Sequence, residues 1–476
     1  MNDGQIQEIL RDRNPWWRAP DSWADDDDTL REAAEAPFDI APDVLADVTA
    51  PSLYVLLGPR RVGKSLALRR KIRDLIAAGA AHHRSIIYCS CDGLRPQDLR
   101  RMFKVGRQLT RAGESDTRWW FVDEITAVGE EWSAIVKDVR GDTPVRRDCV
   151  VLSGSSARGL RGAVDNLAGR RGPDAATSDR LLLPMGFRRF CEATDLGGPA
   201  DIPVVRPADV FTRAGREALD ELSFWVEDLT SAWEQYLRIG GYPRAVADFI
   251  RTGDVGAGFV RDLWDVVRGD AVRTAGLPDA TVLALLERLG TNIASPVNAS
   301  AVARDVGLAN NHRVNDRIDD LTLNFLTYRC PQVIGGQPSE AAQRKVYFTD
   351  PLLARLAAAV DDQRSHPDSS KLTEQQVGLM LSRAIDRQHP GSFAWGTRLM
   401  YEKTSAGKEI DFVGPDLAGA CFDGKYVDHN WKREALTAKA RYDKAVLATR
   451  REHDLEDDTS WAVPAACLGW LIDSAD

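Results

Sequence analysis

Gly58-Pro59-Arg60-Arg61-Val62-Gly63-Lys64-Ser65 has the residue types and spacing of a phosphate-binding loop, G-x-x-x-x-G-K-[ST]. Such a loop, closing onto the start of a helix, points several backbone N–H groups at one spot. The helix dipole adds positive potential there. Lys64 is expected to reach the β- and γ-phosphates of ATP and the Ser65 hydroxyl to bind Mg²⁺, with Gly58, Arg60 and Gly63 completing the nucleotide cradle. A second pair, Asp123-Glu124, ends the apolar run Trp119-Trp120-Phe121-Val122, about 60 residues after Lys64. An acid at the tip of such a strand holds Mg²⁺ through water, and the acid after it can polarise the attacking water as general base. Asp123 is therefore assigned to the metal and Glu124 to catalysis. The bland alternatives, a glycine-bearing turn and a solvated acidic loop, fit the flanking elements less well.

Near the other end lies a second constellation. Glu409-Ile410-Asp411-Phe412-Val413 alternates as a strand does, placing Glu409 and Asp411 on one face. Ala420–Tyr426 reads as the next strand, with Asp423 and Lys425 sharing a face. A helical segment, Glu374–Ile385, precedes both. One hairpin can thus present Asp411, Asp423 and Lys425 together with Glu374 beside them. Three carboxylates of this kind suit one or two Mg²⁺ ions, or Mn²⁺, and a lysine can orient or help deprotonate a water. Metal-assisted phosphodiester hydrolysis is the reaction such a set serves. The alternative is a half-exposed hairpin with ordinary surface charges.

These residues need elements to hold them. Leu53–Leu57, Ser85–Ser90, Trp119–Val122, Cys149–Leu152 and Leu181–Pro184 read as strands with helices between, which implies a parallel sheet covered on both faces. Residues 51–193 form this first domain, and residues 1–50 a segment whose Trp16, Trp17 and Trp23 pack onto it. After the fourth strand, Ser153 stands where a hydroxyl can sense the γ-phosphate, or where a plain turn falls. Arg158, Arg161, Arg170 and Arg171 follow in a glycine-rich stretch. Residues 208–280 read as a helical, lid-like region, broken by Gly240-Gly241-Tyr242-Pro243. Residues 281–330 read as three short helices, which open a winged-helix-like module over 281–360. Their last helix is poor for DNA, because Arg313 and Arg317 are offset by Asp316, Asp319 and Asp320. The loop Asp361–Lys371 opens the last domain, 372–476.

Composition narrows the field. The chain has 476 residues, enough for about two to four domains. Its 43% hydrophobic and 28% charged residues describe an ordinary soluble protein. A net charge of −9 gives no global attraction to nucleic acid, so any DNA surface must be local. Seven scattered cysteines, with Cys89 and Cys91 the only close pair, argue against zinc and against a disulfide framework. A reducing cytoplasm is the simplest compartment. The polar start lacks the apolar core of a signal peptide, and no apolar run is long enough to span a membrane.

Taken together, these marks resemble the bacterial and archaeal AAA-superfamily ATPases that end in a restriction-nuclease-like domain (the domain of unknown function 4143 type). The marks are Asn14-Pro15-Trp16-Trp17, Gly58–Ser65, Asp123-Glu124-Ile125, Ser153-Gly154-Ser155-Ser156, Ala168-Gly169-Arg170, Gly240-Gly241-Tyr242-Pro243, Arg268-Gly269-Asp270 and Glu409-Ile410-Asp411-Phe412. The resemblance covers nearly the whole chain. It implies a multidomain α/β protein with a P-loop ASCE ATPase core, a helical and winged-helix middle and a C-terminal PD-(D/E)xK fold. It makes Arg170 the arginine finger of a homo-oligomer and places Glu374, Asp411, Asp423 and Lys425 on the nuclease positions. Asp423 stands where such domains more often have Glu. The expected activity is an ATPase coupled to a Mg²⁺-dependent DNA nuclease in defence against, or processing of, foreign DNA. The alternative is an ATP-driven switch whose last domain only binds DNA or a protein partner.

Overall fold

The structure, a computed structural model, describes residues 1–40, 43–110, 117–141, 145–157, 167, 172, 178–272, 277–339, 341–389 and 398–473. The chain divides into two compact units. The first contains Met1–Leu183 with Leu323–Phe325, and the second contains Pro184–Thr322, Leu326–His389 and the C-terminal sheet. The helical, winged-helix-like and C-terminal segments expected separately thus fall in one unit. The first unit ends at Leu183, and the helix Phe187–Thr194 lies in the second.

The first unit is built on a five-stranded sheet. Its strands are β1 (Leu53–Leu57), β2 (Ile86–Ser90), β3 (Trp119–Asp123), β4 (Cys149–Gly154) and β5 (Asp179–Leu181). They lie in the order β2-β3-β4-β1-β5, every pair parallel. Every residue of β1, β3 and β4 is buried, so these strands are near-continuous apolar runs rather than alternating ones. The last strand lies earlier than expected, although Leu182 N still donates to Leu57 O at 2.8 Å.

β2 is a sheet edge, and the N-terminal segment covers it with side chains. Asn14 Nδ2 donates to Tyr88 O at 2.9 Å, and Tyr88 N donates back to Asn14 Oδ1 at 2.6 Å. The carboxamide imitates one residue of a neighbouring strand. Trp16 and Trp17 both donate from Nε1 to Ile86 O, at 3.1 and 2.7 Å, and both rings are buried. Backbone groups that would otherwise be open to another chain are satisfied.

The second unit begins with helices Phe187–Thr194, Arg213–Leu222, Val226–Ile239, Pro243–Thr252 and Ala257–Val272. Asp279–Thr291, Ala299–Val306 and Asn311–Leu323 follow, the last ending at the unit boundary. Arg317 on this last helix is buried in an ion pair with Asp320 at 2.6 Å, so its charge is spent inside the fold. Two antiparallel pairs come next, β6 (Thr327–Cys330) with β9 (Lys345–Phe348), and β7 (Val333–Ile334) with β8 (Gln337–Pro338).

The helix Ser369–Gln388 opens the C-terminal part, five residues earlier than the spacing indicated. Asp368 is its N-cap and accepts from Ser370 N at 2.8 Å, a start signal hidden in what reads as a polar loop. The sheet beside it runs β10 (Met400–Lys403), β11 (Glu409–Val413), β12 (Ala420–Gly424), β13 (Lys444–Thr449) and β14 (Ser460–Pro464), in that spatial order. β10–β11 and β11–β12 are antiparallel, while β12–β13 and β13–β14 are parallel. Helix and sheet meet closely. A Cβ on Gly378 would lie 2.5 Å from the Phe412 ring, and one on Gly424 would lie 3.0 Å from Glu374 Cα. Among the described residues no helix is long and apolar enough to cross a membrane.

Candidate nucleotide site and C-terminal carboxylate cluster

The loop after β1 adopts a conformation that most residues avoid. Gly58, Arg61 and Gly63 have φ of 155°, 69° and 101°, and Gly63 leads directly into the helix Lys64–Ala77. Alternation of this kind turns successive N–H groups toward one concavity. A Cβ on Gly58 would lie 1.9 Å from Leu182 O, so only glycine fits there. Lys64 is buried, and its Nζ donates to Gly58 O at 3.0 Å and Pro59 O at 2.8 Å. The ammonium rests on the carbonyls of its own loop. Arg60 is half-buried, and its Nε has no hydrogen-bond partner.

Asp123, at the tip of β3, is the hub of this site. Its Oδ2 accepts from Ser65 Oγ at 2.7 Å and from Tyr88 Oη at 3.0 Å. Its Oδ1 accepts from Ser153 Oγ and from Glu124 N, the latter at 3.1 Å. Glu124 has φ of 50°, uncommon for a residue with a side chain, and is half-buried; its Oε2 accepts from Ser155 Oγ at 3.1 Å. The two acids therefore serve different partners, Asp123 the loop and Glu124 the hydroxyl of Ser155. Ser65 is exposed, so the site opens outward on the side where nucleotide would lie. The oxygens of Ser65 and Asp123 are the hard donors Mg²⁺ takes, and they are within hydrogen-bonding distance of each other.

Ser153 was read as a γ-phosphate sensor or as part of a plain turn. It is fully buried, and its hydroxyl serves Asp123 instead. Ser155, just past the end of that strand and also buried, holds Glu124. Tyr88 is a further residue that motif reading missed. Burial, then the neighbouring Asp123 charge, pushes its phenol well above the ordinary value, so it donates rather than ionises. Arg69 stacks over the Tyr88 ring at 3.9 Å and pairs with Asp27 at 3.4 Å. Arg170, with Arg158, Arg161 and Arg171, lies outside the described residues.

In the second unit Glu374, Asp411, Asp423 and Lys425 converge as their spacing predicts. Lys425 Nζ lies 3.2 Å from Asp423 Oδ1 and 3.7 Å from Asp411 Oδ2, and Gly424 N donates to Asp411 Oδ2 at 3.1 Å. The sequence gives no local sign of a fifth member. Lys345 of β9 enters the cluster with its Nζ 2.8 Å from Asp411 Oδ1, 3.0 Å from Glu374 Oε1 and 3.4 Å from Glu409 Oε2. Two residues on, and on the same face, Tyr347 Oη donates to Glu374 Oε1 at 2.6 Å.

The cluster is buried, and its electrostatics follow from that. Burial alone would pull the Lys345 ammonium down; Asp411, Glu374 and Glu409 outweigh it and hold it well above its usual value. Burial and then the Asp411 charge push Glu374 up to about 7. The same two causes raise Asp423 well above a normal carboxyl. Asp411 goes the other way: burial would raise it, but Lys345, the hydrogen bond from Asp423 and Lys425 hold it low. The carboxylates are of the type a divalent cation takes, yet the oxygens facing the centre of the cluster already face an ammonium. A catalytic metal does not fit this arrangement.

Residues 50–191 match the family model described as an AAA domain, and residues 230–364 match a domain of unknown function (DUF8612). Neither of these two models reaches residues 365–476. No curated protein matches the chain. Among solved structures it is similar to the Walker-type ATPase PABY2304 of Pyrococcus abyssi, with 14% identity and a TM-score of 0.34, over 69% of this chain and 93% of that one.

Proposed function

We propose that this chain, which carries an AAA-type ATPase domain over residues 50–191, is an ATP-hydrolysing switch. The observation that carries the reading is the hydrogen-bonded row Ser65–Asp123, with Glu124 held beside it by Ser155. Lys64 exchanges the carbonyls of Gly58 and Pro59 for phosphate oxygens when nucleotide binds. Ser65 and Asp123 are the residues that would hold Mg²⁺, which neutralises charge on the phosphates. Glu124 takes a proton from the attacking water as the new P–O bond forms and the bond to ADP breaks. Ser155 keeps that carboxylate oriented, and Ser153 and Tyr88 keep Asp123 in place. Arg170 is proposed to act on the site of a neighbouring copy, on the strength of the family resemblance. Lys64→Ala tests the core of the reading: ATP binding or turnover should be lost while the circular dichroism spectrum is kept. Unchanged turnover would end it.

The C-terminal part admits two roles. Nuclease coupling is supported by the convergence of Glu374, Asp411, Asp423 and Lys425 on a helix followed by three antiparallel strands. A binding role, toward DNA or a protein partner, is supported by Lys345 standing among the same carboxylates. We favour the binding role, since the ammonium holds the oxygens a metal needs. Incubation of the full chain with single- and double-stranded DNA in Mg²⁺ or Mn²⁺ separates the two. Cleavage that disappears in Asp411→Ala would restore the nuclease reading.

A further inference from the structure

We infer that Lys345 is a built-in cation that takes the place of a divalent metal and ties the β6–β9 pair to the C-terminal sheet. This concerns the C-terminal carboxylates alone and stands apart from the ATPase reading. Lysine is almost never fully buried unless paired, and Lys345 is 0% exposed. Its Nζ has carboxylate oxygens from the helix Ser369–Gln388 and from β11 within 3.4 Å, and it lies over the Tyr401 ring at 5.3 Å.

The strand that delivers it is anchored just beyond that contact. Phe348 N donates to Gln375 Oε1 at 2.9 Å, and Tyr328 Oη on β6 donates to Gln375 O at 3.1 Å. With Tyr347 on Glu374, the β6–β9 pair is locked in register against one turn of the helix. The ammonium and a metal would compete for the same two atoms, Asp411 Oδ1 and Glu374 Oε1. Three carboxylates buried without a cation would repel one another. Lys345 and Lys425 supply two positive charges to Glu374, Asp411 and Asp423 without any ion from solution.

The test uses the full chain without nucleotide, counting tightly bound Mn²⁺ by electron paramagnetic resonance. Wild type and Asp411→Asn should bind the same number of Mn²⁺ ions per chain. Lys345→Ala should gain one, and Lys345→Ala/Asp411→Asn should lose it again. A wild type that holds one more Mn²⁺ than Asp411→Asn would overturn the inference, as would a folded Lys345→Ala without an added site. Thermal unfolding covers the case in which Lys345→Ala does not fold. Lys345→Met should then melt well below wild type, and adding Asp411→Asn should recover part of the loss. A Lys345→Met protein as stable as wild type would also overturn it. Neither readout depends on ATP turnover.

Discussion

Asp123→Asn should separate the architecture of the nucleotide site from its chemistry. The buried carboxylate accepts from four donors: Ser65, Tyr88, Ser153 and the Glu124 amide. The Glu124 N–H cannot reverse its polarity, so the amide oxygen of the variant must occupy the Oδ1 position. Its NH₂ then faces Ser65 and Tyr88, whose hydroxyls can rotate to accept. The exposed Ser65 O–H can turn to solvent, whereas the buried Tyr88 O–H gives up the acceptor it has in wild type. Each bond falls from the charged to the neutral class, a loss of about 1 kcal/mol apiece and about 4 kcal/mol in all. Relief from burying an ionised group is worth several kcal/mol in the other direction. The variant should therefore unfold in guanidinium within about 2 kcal/mol of wild type, followed by far-ultraviolet circular dichroism. Its Mg²⁺-dependent ATP turnover should fall about 10–100-fold, the usual cost of losing a group that orients a metal's ligands. Normal turnover would refute the assignment of Asp123. A loss of stability well above 2 kcal/mol would refute the argument that the hydroxyls reverse.

Glu124→Gln should bind ATP with near-normal affinity and hydrolyse it about 10²–10⁴-fold more slowly, measured by nucleotide fluorescence and phosphate release; equal rates would move the base elsewhere. Asp386, on the helix Ser369–Gln388, has a buried Oδ1 without a partner, and burial raises its carboxyl to about 6. Its native value lies above its unfolded one, so the stability it contributes is present below about pH 4 and lost as pH rises through 6. Asp386→Asn should then match wild type near pH 4 and exceed it by about 1–3 kcal/mol at pH 8 in chemical denaturation. An equal difference at both pH values would show that burial is not the cause.

The parts of the site carried by contiguous residues were legible. Gly58–Ser65 encodes its own turn and helix start, and the apolar runs before Asp123 and through Leu53–Leu57 mark their strands by composition. Asp411, Asp423 and Lys425 were placed together by period two alone. What escaped was set by contacts distant in sequence. Lys345 lies in an ordinary strand, and only its alternation with Tyr347 could have hinted that both point to one face. Tyr88 carries no motif, and Ser155, although it stands in Ser153-Gly154-Ser155-Ser156, has nothing in its type to say which acid it serves, because any hydroxyl at the right distance can do so. Which acid each of the two buried serines serves, Ser153 on Asp123 and Ser155 on Glu124, depends on contacts distant in sequence. The start of the helix at Ser369 was missed for a different reason: Asp368-Ser369-Ser370 has cap chemistry but sits in a run of turn formers.

The side-chain cover on β2 also bears on how the chain is made. Asn14, Trp16 and Trp17 leave the ribosome before Ile86–Ser90 does. The strand that would be the sticky rim of a half-built sheet thus emerges into the presence of its own lid. Partly folded chains are most vulnerable to joining one another through bare rims. Here vectorial synthesis orders the two events favourably: the cover is made before the strand it caps.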